Sequence, residues 1–178
     1  MNKYSYFLMA SLFVFTGEMF AASNSVSINF DAHLYRRTCD VNLSESVVAY
    51  GKVKPQTIVD NDLGTSTALN RNVILTLANC SGLGTLNGSK VIVTGPSQVM
   101  NGEALFKESG SSGGVGIRLK ADGKNKVSGD SVWDLSTTSN QGSQITVVTA
   151  LSCGNCQNIQ KIQLGTFKAT MMFTVLAY

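Results

Sequence analysis

Proline and histidine are nearly missing from this chain. Two prolines and one histidine, His33, occur among 178 residues. A single imidazole excludes most multi-histidine metal sites. It also leaves one candidate base for Ser/His or Cys/His nucleophilic catalysis. Charged residues are 14% of the chain, against about 25% in soluble domains generally. With 43% hydrophobic residues, so little charge excludes a disordered chain, which needs the reverse balance. The net charge is +3, from 14 basic and 11 acidic residues. That excess is too small to imply nucleic-acid binding by charge. Four cysteines are too few for a disulfide-dense mini-protein. Trp133 is the sole tryptophan and reads as a core or edge aromatic. Glycine, at 17 residues, is plentiful.

The one long apolar run lies at the start. Met1-Asn2-Lys3 is a short basic segment, and residues 7–15 are almost wholly apolar. Gly17 and Glu18 end the run, and Ala21-Ala22-Ser23 follow. This order of basic, apolar and small residues predicts a secretory signal over residues 1–22, cleaved after Ala22 or Ala21. The run is shorter than the ~20 residues that span a bilayer. An exported mature chain of 156 of the 178 residues is expected, enough for one domain with a full core.

The rest reads as strands. Alternating or β-branched runs cover 26–34, 47–50, 73–78, 91–94, 115–119, 145–151 and 167–175. Turn clusters separate them at 60–64, 81–84, 109–114, 122–123 and 139–142. Short strands divided by Gly/Asn/Asp/Ser turns predict an all-β sandwich or barrel. No stripe of helical period with adequate length and a cap stands out. Ala121-Asp122-Gly123-Lys124 is a hairpin signal.

In an oxidising compartment disulfides are the default, and four cysteines allow three pairings. Cys39 and Cys80 each follow a predicted strand, 41 positions apart. A bridge between them would stabilise the fold by about 4 kcal/mol on the chain-entropy model. Cys153-Gly154-Asn155-Cys156 falls between strands. A redox Cys-x-x-Cys belongs at a helix start in a βαβ setting, which is lacking, so a small bridge stapling a turn is the expectation. Asp60 and Asp62 read as turn-shaping carboxylates. Gly110-Ser-Ser-Gly-Gly lacks the Lys-Ser/Thr ending and helix of a phosphate loop.

Two segments alternate without a break. Apolar side chains fall at Phe167, Ala169, Met171, Phe173, Val175 and Ala177, so one face is continuous. Val26, Ile28, Phe30, Ala32 and Leu34 repeat the pattern near the other end. The N-terminal segment leads to Cys39, and Val-Ile-Leu-Thr-Leu-Ala-Asn-Cys ends at Cys80. Gly114-Val-Gly116-Ile-Arg-Leu follows, and Gly165 heads the last alternating strand, fourteenth from the C-terminus. In this order, after a signal segment, these features resemble the subunits of chaperone–usher fimbriae, the type 1 pilin family of Gram-negative bacteria. The resemblance covers essentially the whole mature chain. Three features depart from the family pattern. Ala177 stands where tyrosine is usual and Tyr178 is last, Ala32 stands where glycine is common, and Cys153 and Cys156 are extra to the usual single disulfide.

The resemblance implies an all-β, incomplete immunoglobulin-like sandwich lacking its last strand and completed by donor-strand exchange. Residues 23–37 would be the donor region and 38–178 the pilin domain. Val26, Ile28, Phe30, Ala32 and Leu34 would be the inserted face. Gly165, Phe167, Ala169, Met171, Phe173, Val175 and Tyr178 would form the acceptor groove and chaperone-binding strand, and Cys39–Cys80 the structural bridge. The implied partners are a periplasmic chaperone, an outer-membrane usher and neighbouring fimbrial subunits, with no cofactor and no nucleic acid. The implied location is the fimbrium on the cell surface, reached through the periplasm. The short stretch from Ser23 to Cys39 is more like that of minor or adaptor subunits. An enzyme is disfavoured, since His33 alternates with Ala32 and Leu34 and reads as facing solvent or a neighbour. The competing function is a stand-alone secreted carbohydrate-binding β-sandwich.

Overall fold

The computed structural model describes residues 36–177. The expected signal segment, the donor residues Val26, Ile28, Phe30, Ala32 and Leu34, His33 and the terminal Tyr178 all lie outside these residues.

Ten strands form two sheets. The larger holds β1 (Thr38–Leu43), β2 (Asn70–Ser81), β4 (Ser97–Met100), β5 (Glu103–Phe106), β6 (Gly116–Ala121), β7 (Lys124–Lys126) and β9 (Gln144–Ser152). Its order is β1-β2-β9-β6-β5-β4, with β7 paired to β6. The smaller holds β3 (Lys90–Thr94), β8 (Ser131–Asp134) and β10 (Met172–Leu176) in the order β10-β3-β8. Every strand pair among them is antiparallel. The architecture is the all-β sandwich that the alternation predicts.

The pattern of each strand explains its place. In β2, Val73, Leu75 and Leu77 point inward and are buried, while Asn72, Ile74 and Thr76 point outward. Val91 and Val93 of β3 meet them from the opposite sheet as part of one core, with Leu119 and Val147. Trp133 sits on the edge strand β8, opposite Val91, and packs on the core. The β6–β7 hairpin turns at Asp122 and Gly123, whose φ angles of 50° and 73° are those of the tight turn that Asp-Gly favours.

Two elements differ from the sequence expectation. Residues 47–50 form no strand. After the Ser44 N–H bonds the Ile74 carbonyl at 2.9 Å, the chain leaves the β2 ladder. Val48, Tyr50 and Val53 instead lay half-buried side chains on the core. The second difference is α1 (Pro55–Asp62), a helix of 8 residues that buries Ile58 and Val59. Pro55 occupies its first turn, where the missing N–H costs nothing, and Gly64 follows its end at φ 76°. Only two turns long, α1 is too short to show an amphipathic stripe.

Cys39, near the start of β1, is bonded to Cys80, near the end of β2, with Cα atoms 4.0 Å apart. Their bridge closes the β1–β2 pair beside a bulge between Thr38 and Asp40. Cys39→Ser is expected to lower the yield of folded protein sharply, since about 4 kcal/mol of cross-link stabilisation goes with it. Urea unfolding of the purified variant should show the loss. A variant as stable as the native chain would contradict a structural role for the bridge.

Candidate assembly groove

The C-terminal stretch alternates in burial as it does in sequence. Phe167, Ala169, Met171, Phe173 and Val175 are half-buried, and Lys168, Thr170, Met172 and Thr174 between them are exposed. The five half-buried side chains pack against the core without being covered by it. Only the last part of this stretch is regular strand, because its first part follows a loop instead of a sheet. Lys168 exchanges both backbone bonds with Ser109, at 2.9 and 3.2 Å, and Gln163 does so with Gly113. The Thr166 carbonyl accepts from the Ser112 N–H at 2.9 Å.

Gly165 has a packing reason. A β-carbon there would lie 2.5 Å from the Ser112 nitrogen and the Ser111 hydroxyl. The loop 109–113 therefore closes on a position that only glycine fits. Thr170 Oγ1 donates to Glu108, and that bond holds the Glu108 carboxyl below the usual carboxylate range, with help from Lys168 at 3.4 Å.

An open groove of about 780 Å³ runs along this stretch. Gly165, Phe167, Ala169, Met171 and Phe173 line one wall, and residues 45–51 with Val53 line the other. Its floor includes Val73, Val115, Ile117 and Leu151. Val175 falls outside the lining and pairs with Val91. Tyr50 stands in the second wall with its hydroxyl 3.2 Å from Thr149 Oγ1, and burial pushes its phenol up in pKa.

On one side of the groove β10 pairs only with β3 and leaves its other edge without a hydrogen-bonded partner among the described residues, and β1 runs close beside it. Backbone groups alternate sides along a strand. Lys168 bonds toward Ser109, so Phe167 and Ala169 direct their N–H and C=O toward the groove. The site is thus an apolar-floored groove between the 165–173 stretch and the irregular segment 45–53. Among the described residues no group of three or more His, Cys, Asp or Glu side chains is placed to hold a metal ion.

The chain enters the domain at the far end of β2 from the groove mouth. Arg36 forms a parallel bridge with Leu83, and the Arg37 N–H donates to the Leu83 carbonyl at 3.1 Å. Gly82 makes that approach possible, since a β-carbon there would meet the Arg36 carbonyl oxygen at 2.6 Å.

No protein-family model matches the sequence, and no curated protein matches it. Solved structures do. The P pilus rod subunit PapA superposes with a TM-score of 0.55 over 85% of this chain and 100% of its own length, at 16% identity. This chain has a pilin fold. A chain from a chaperone–usher pilus structure that addresses rod uncoiling gives a TM-score of 0.49, at 16% identity over 88% of this chain and 97% of its own length.

Within this pilin fold lies a polar cluster that sequence reading missed. Asp62, at the end of α1, is fully buried, and Arg118 of β6 keeps 8% of its side chain exposed. Asp62 Oδ1 accepts from Arg118 Nη1 at 2.8 Å. Asp62 Oδ2 accepts from the backbone N–H of Cys153 at 2.8 Å, that of Asn155 at 3.2 Å and the Ser152 hydroxyl at 3.0 Å. Arg118 also forks onto Glu103, Nε to Oε1 at 2.7 Å and Nη2 to Oε2 at 2.5 Å. The Glu103 bond is the main reason its guanidinium is pushed further up in pKa.

Cys153 and Cys156 are bonded to one another and buried. The 3.1 Å approach of Cys153 Sγ to Asp62 is a contact only, because a disulfide sulfur carries no hydrogen. Gly154 permits the turn, as a β-carbon would meet the Met100 carbonyl oxygen at 1.9 Å. The sequence signal was the Asp-Asn-Asp run before Leu-Gly, but nothing in it distinguished a buried carboxylate from a turn former.

Proposed function

We propose that the chain is a structural subunit of a chaperone–usher fimbria that polymerises by donor-strand complementation and supports adhesion. The observation that carries this reading is the half-buried face from Phe167 to Phe173 beside an unpaired strand edge. An exposed apolar groove with an open edge is an aggregation hazard unless a strand fills it. Strand addition satisfies both requirements, since backbone bonds hold the strand and alternate side chains fill the groove. Residues 26–34 of a neighbouring subunit supply the alternating face. Burying Val26, Ile28, Phe30 and Leu34 contributes about 6–12 kcal/mol gross, which the ordering costs of association reduce. A subunit that accepts one strand and donates another makes a contact that does not close, and the product is a filament.

In this reading a periplasmic chaperone occupies the groove before assembly and an outer-membrane usher is the site of exchange. The finished subunit lies in the surface fimbrium, and catalysis has no part in its role. The short stretch from Ser23 to Cys39 supports a minor or adaptor position.

Phe173→Asp tests the groove. An unpaired carboxylate there costs several kcal/mol, so co-purification with the cognate periplasmic chaperone should fail. Undiminished capture would argue for a closed sandwich with no chaperone site. Binding of glycans by a stable isolated monomer would favour a secreted lectin instead.

A further inference from the structure

The Cys153–Cys156 turn is held unevenly. Its first half is clamped on three sides. The Cys153 and Asn155 N–H groups donate to Asp62, and the Cys153 carbonyl accepts from Asn101 Nδ2 at 2.6 Å. The Asn155 side-chain amide accepts from Arg118 at 2.9 Å and donates to Glu103 at 3.2 Å. The second half has no such hold. Among the described residues, the hydrogen bonds of 156–162 run only within that stretch or back to Asn155. Gln157 Nε2 donates to the Asn155 carbonyl, the Gln160 N–H to Asn158 Oδ1, and the Ile162 N–H to the Ile159 carbonyl. The next tie to the domain is the backbone exchange between Gln163 and Gly113. From Cys156 to Ile162, the disulfide is thus the one cross-link to the clamped half of the turn.

That stretch builds one end of the groove. Ile162, Gln163 and Leu164 line it there, together with Pro55 and Ile58 of α1. α1 packs on the 3-10 turn Ile159–Lys161, and its last residue is Asp62. Ile58 precedes Asp62 by about one helical turn. Both parts of this end wall therefore stand on one foundation. α1 reaches the clamp through Asp62, and residues 157–162 reach it through Cys156. The Phe173 end of the groove belongs to β10, which rests on β3 instead.

Opening the bridge acts on that wall. A dithiol reductant gives the cystine two electrons and two protons. The S–S bond breaks, two thiols remain, and the reductant closes to its own disulfide. Cys153 stays held by Asp62, by Asn101 and by the seat of Gly154 on the Met100 carbonyl. Cys156 is released, and with it the stretch that carries Ile162. Cys39–Cys80 ties β1 to β2 and takes no part in the clamp. Cys153 is fully buried and Cys156 is 3% exposed, so the closed bridge is shielded from thiols once the domain has folded.

We propose that the Cys153–Cys156 bridge is an oxidation-dependent strut of the groove, so that only a chain with this bridge closed presents a complete Gly165 end to an inserted strand. Its consequence for strand capture rests on the donor-strand reading. The loosening of 156–163 when the bridge is open does not.

The test compares the full native chain with the Cys153→Ala/Cys156→Ala double variant, with Cys39–Cys80 closed in both. Alanine removes the cross-link without burying a new polar group. Amide hydrogen exchange should lose protection at Ile162 and Gln163 in the variant, while the ladder between β2 and β9 keeps its protection. A synthetic peptide of residues 24–34 should bind the variant about tenfold more weakly, roughly 1.4 kcal/mol. Native protection at Ile162 and Gln163 would overturn the strut. So would a variant that does not fold, because the effect is confined to the groove end. Equal peptide affinity despite the local loosening would overturn the link to capture. A native chain that binds no peptide, with the exchange difference still present, would overturn the donor-strand reading and leave the strut standing.

Discussion

Joining residues 24–34 to the chain after Tyr178, through a short flexible linker, is expected to give a soluble monomer that no longer needs a chaperone. The graft follows β10 directly, so it returns along the groove as an antiparallel hairpin partner. A linked strand experiences its groove at an effective concentration of about millimolar or more. It therefore gains the side-chain burial of roughly 6–12 kcal/mol without the full cost of bimolecular association. Thermal unfolding of the grafted chain should move up by many degrees against the chaperone-released native subunit. Deleting residues 24–32 from their native position should leave a subunit that binds chaperone but cannot enter its neighbour. Phe30→Asp should weaken donation without unfolding the donor. A deletion that unfolds the isolated domain, or a graft that brings no gain in solubility, would sink the donor-strand reading.

The parts of the fold that could be read from sequence are those where one periodicity governs several residues in a row. Val73, Leu75 and Leu77 declare β2 by alternation, and burial follows it residue by residue. Asp122-Gly123 fixes its hairpin because few other residues take two successive positive φ angles. The groove wall was legible for the same reason. Phe167 to Phe173 alternate, and the structure brings all four apolar side chains to one lining with Gly165. What alternation cannot convey is whether a ladder exists. Residues 47–50 carry a strand-like composition, yet their backbone leaves β2 at Ser44, and they serve as the opposite wall.

The same limit applies to α1. Pro55 and the Asp-Asn-Asp run look like loop chemistry, although a proline in the first turn and a glycine past the end are also helix boundaries. Eight residues with two buried side chains give no period to detect. The Asp62–Arg118 cluster was illegible for a different reason. Its members come from α1, β5, β6 and the turn at 153–156, and no local pattern links residues 56 positions apart.

Arg118→Met is expected to cost more stability than any single groove substitution, and the order of its neighbours' effects tests the cluster. One guanidinium faces two carboxylates, those of Asp62 and Glu103. Removing it leaves the buried Asp62 and the partly buried Glu103 facing each other without a counter-charge, and breaking a buried pair in this way costs about 3–5 kcal/mol. That is a large share of the 5–15 kcal/mol that holds a typical domain together. Asp62→Ala should cost a comparable amount. Arg118 keeps Glu103, so the charge balance improves. The buried Cys153 N–H and Ser152 hydroxyl lose their acceptor, however, and buried unmade bonds cost roughly 1–3 kcal/mol each. Asp62→Asn should do little better, because an amide oxygen turned to the loop would set its own NH₂ against the guanidinium. Glu103→Gln should be mildest, for Arg118 retains the fully buried Asp62. Urea unfolding of the four variants, with the Cys153–Cys156 bridge intact in each, gives the ranking directly. If Glu103→Gln proves as damaging as Arg118→Met, the cluster acts through the Glu103 fork and not through the anchoring of the 153–156 turn. If Asp62→Ala is neutral, the cystine alone holds that turn and the carboxylate is dispensable.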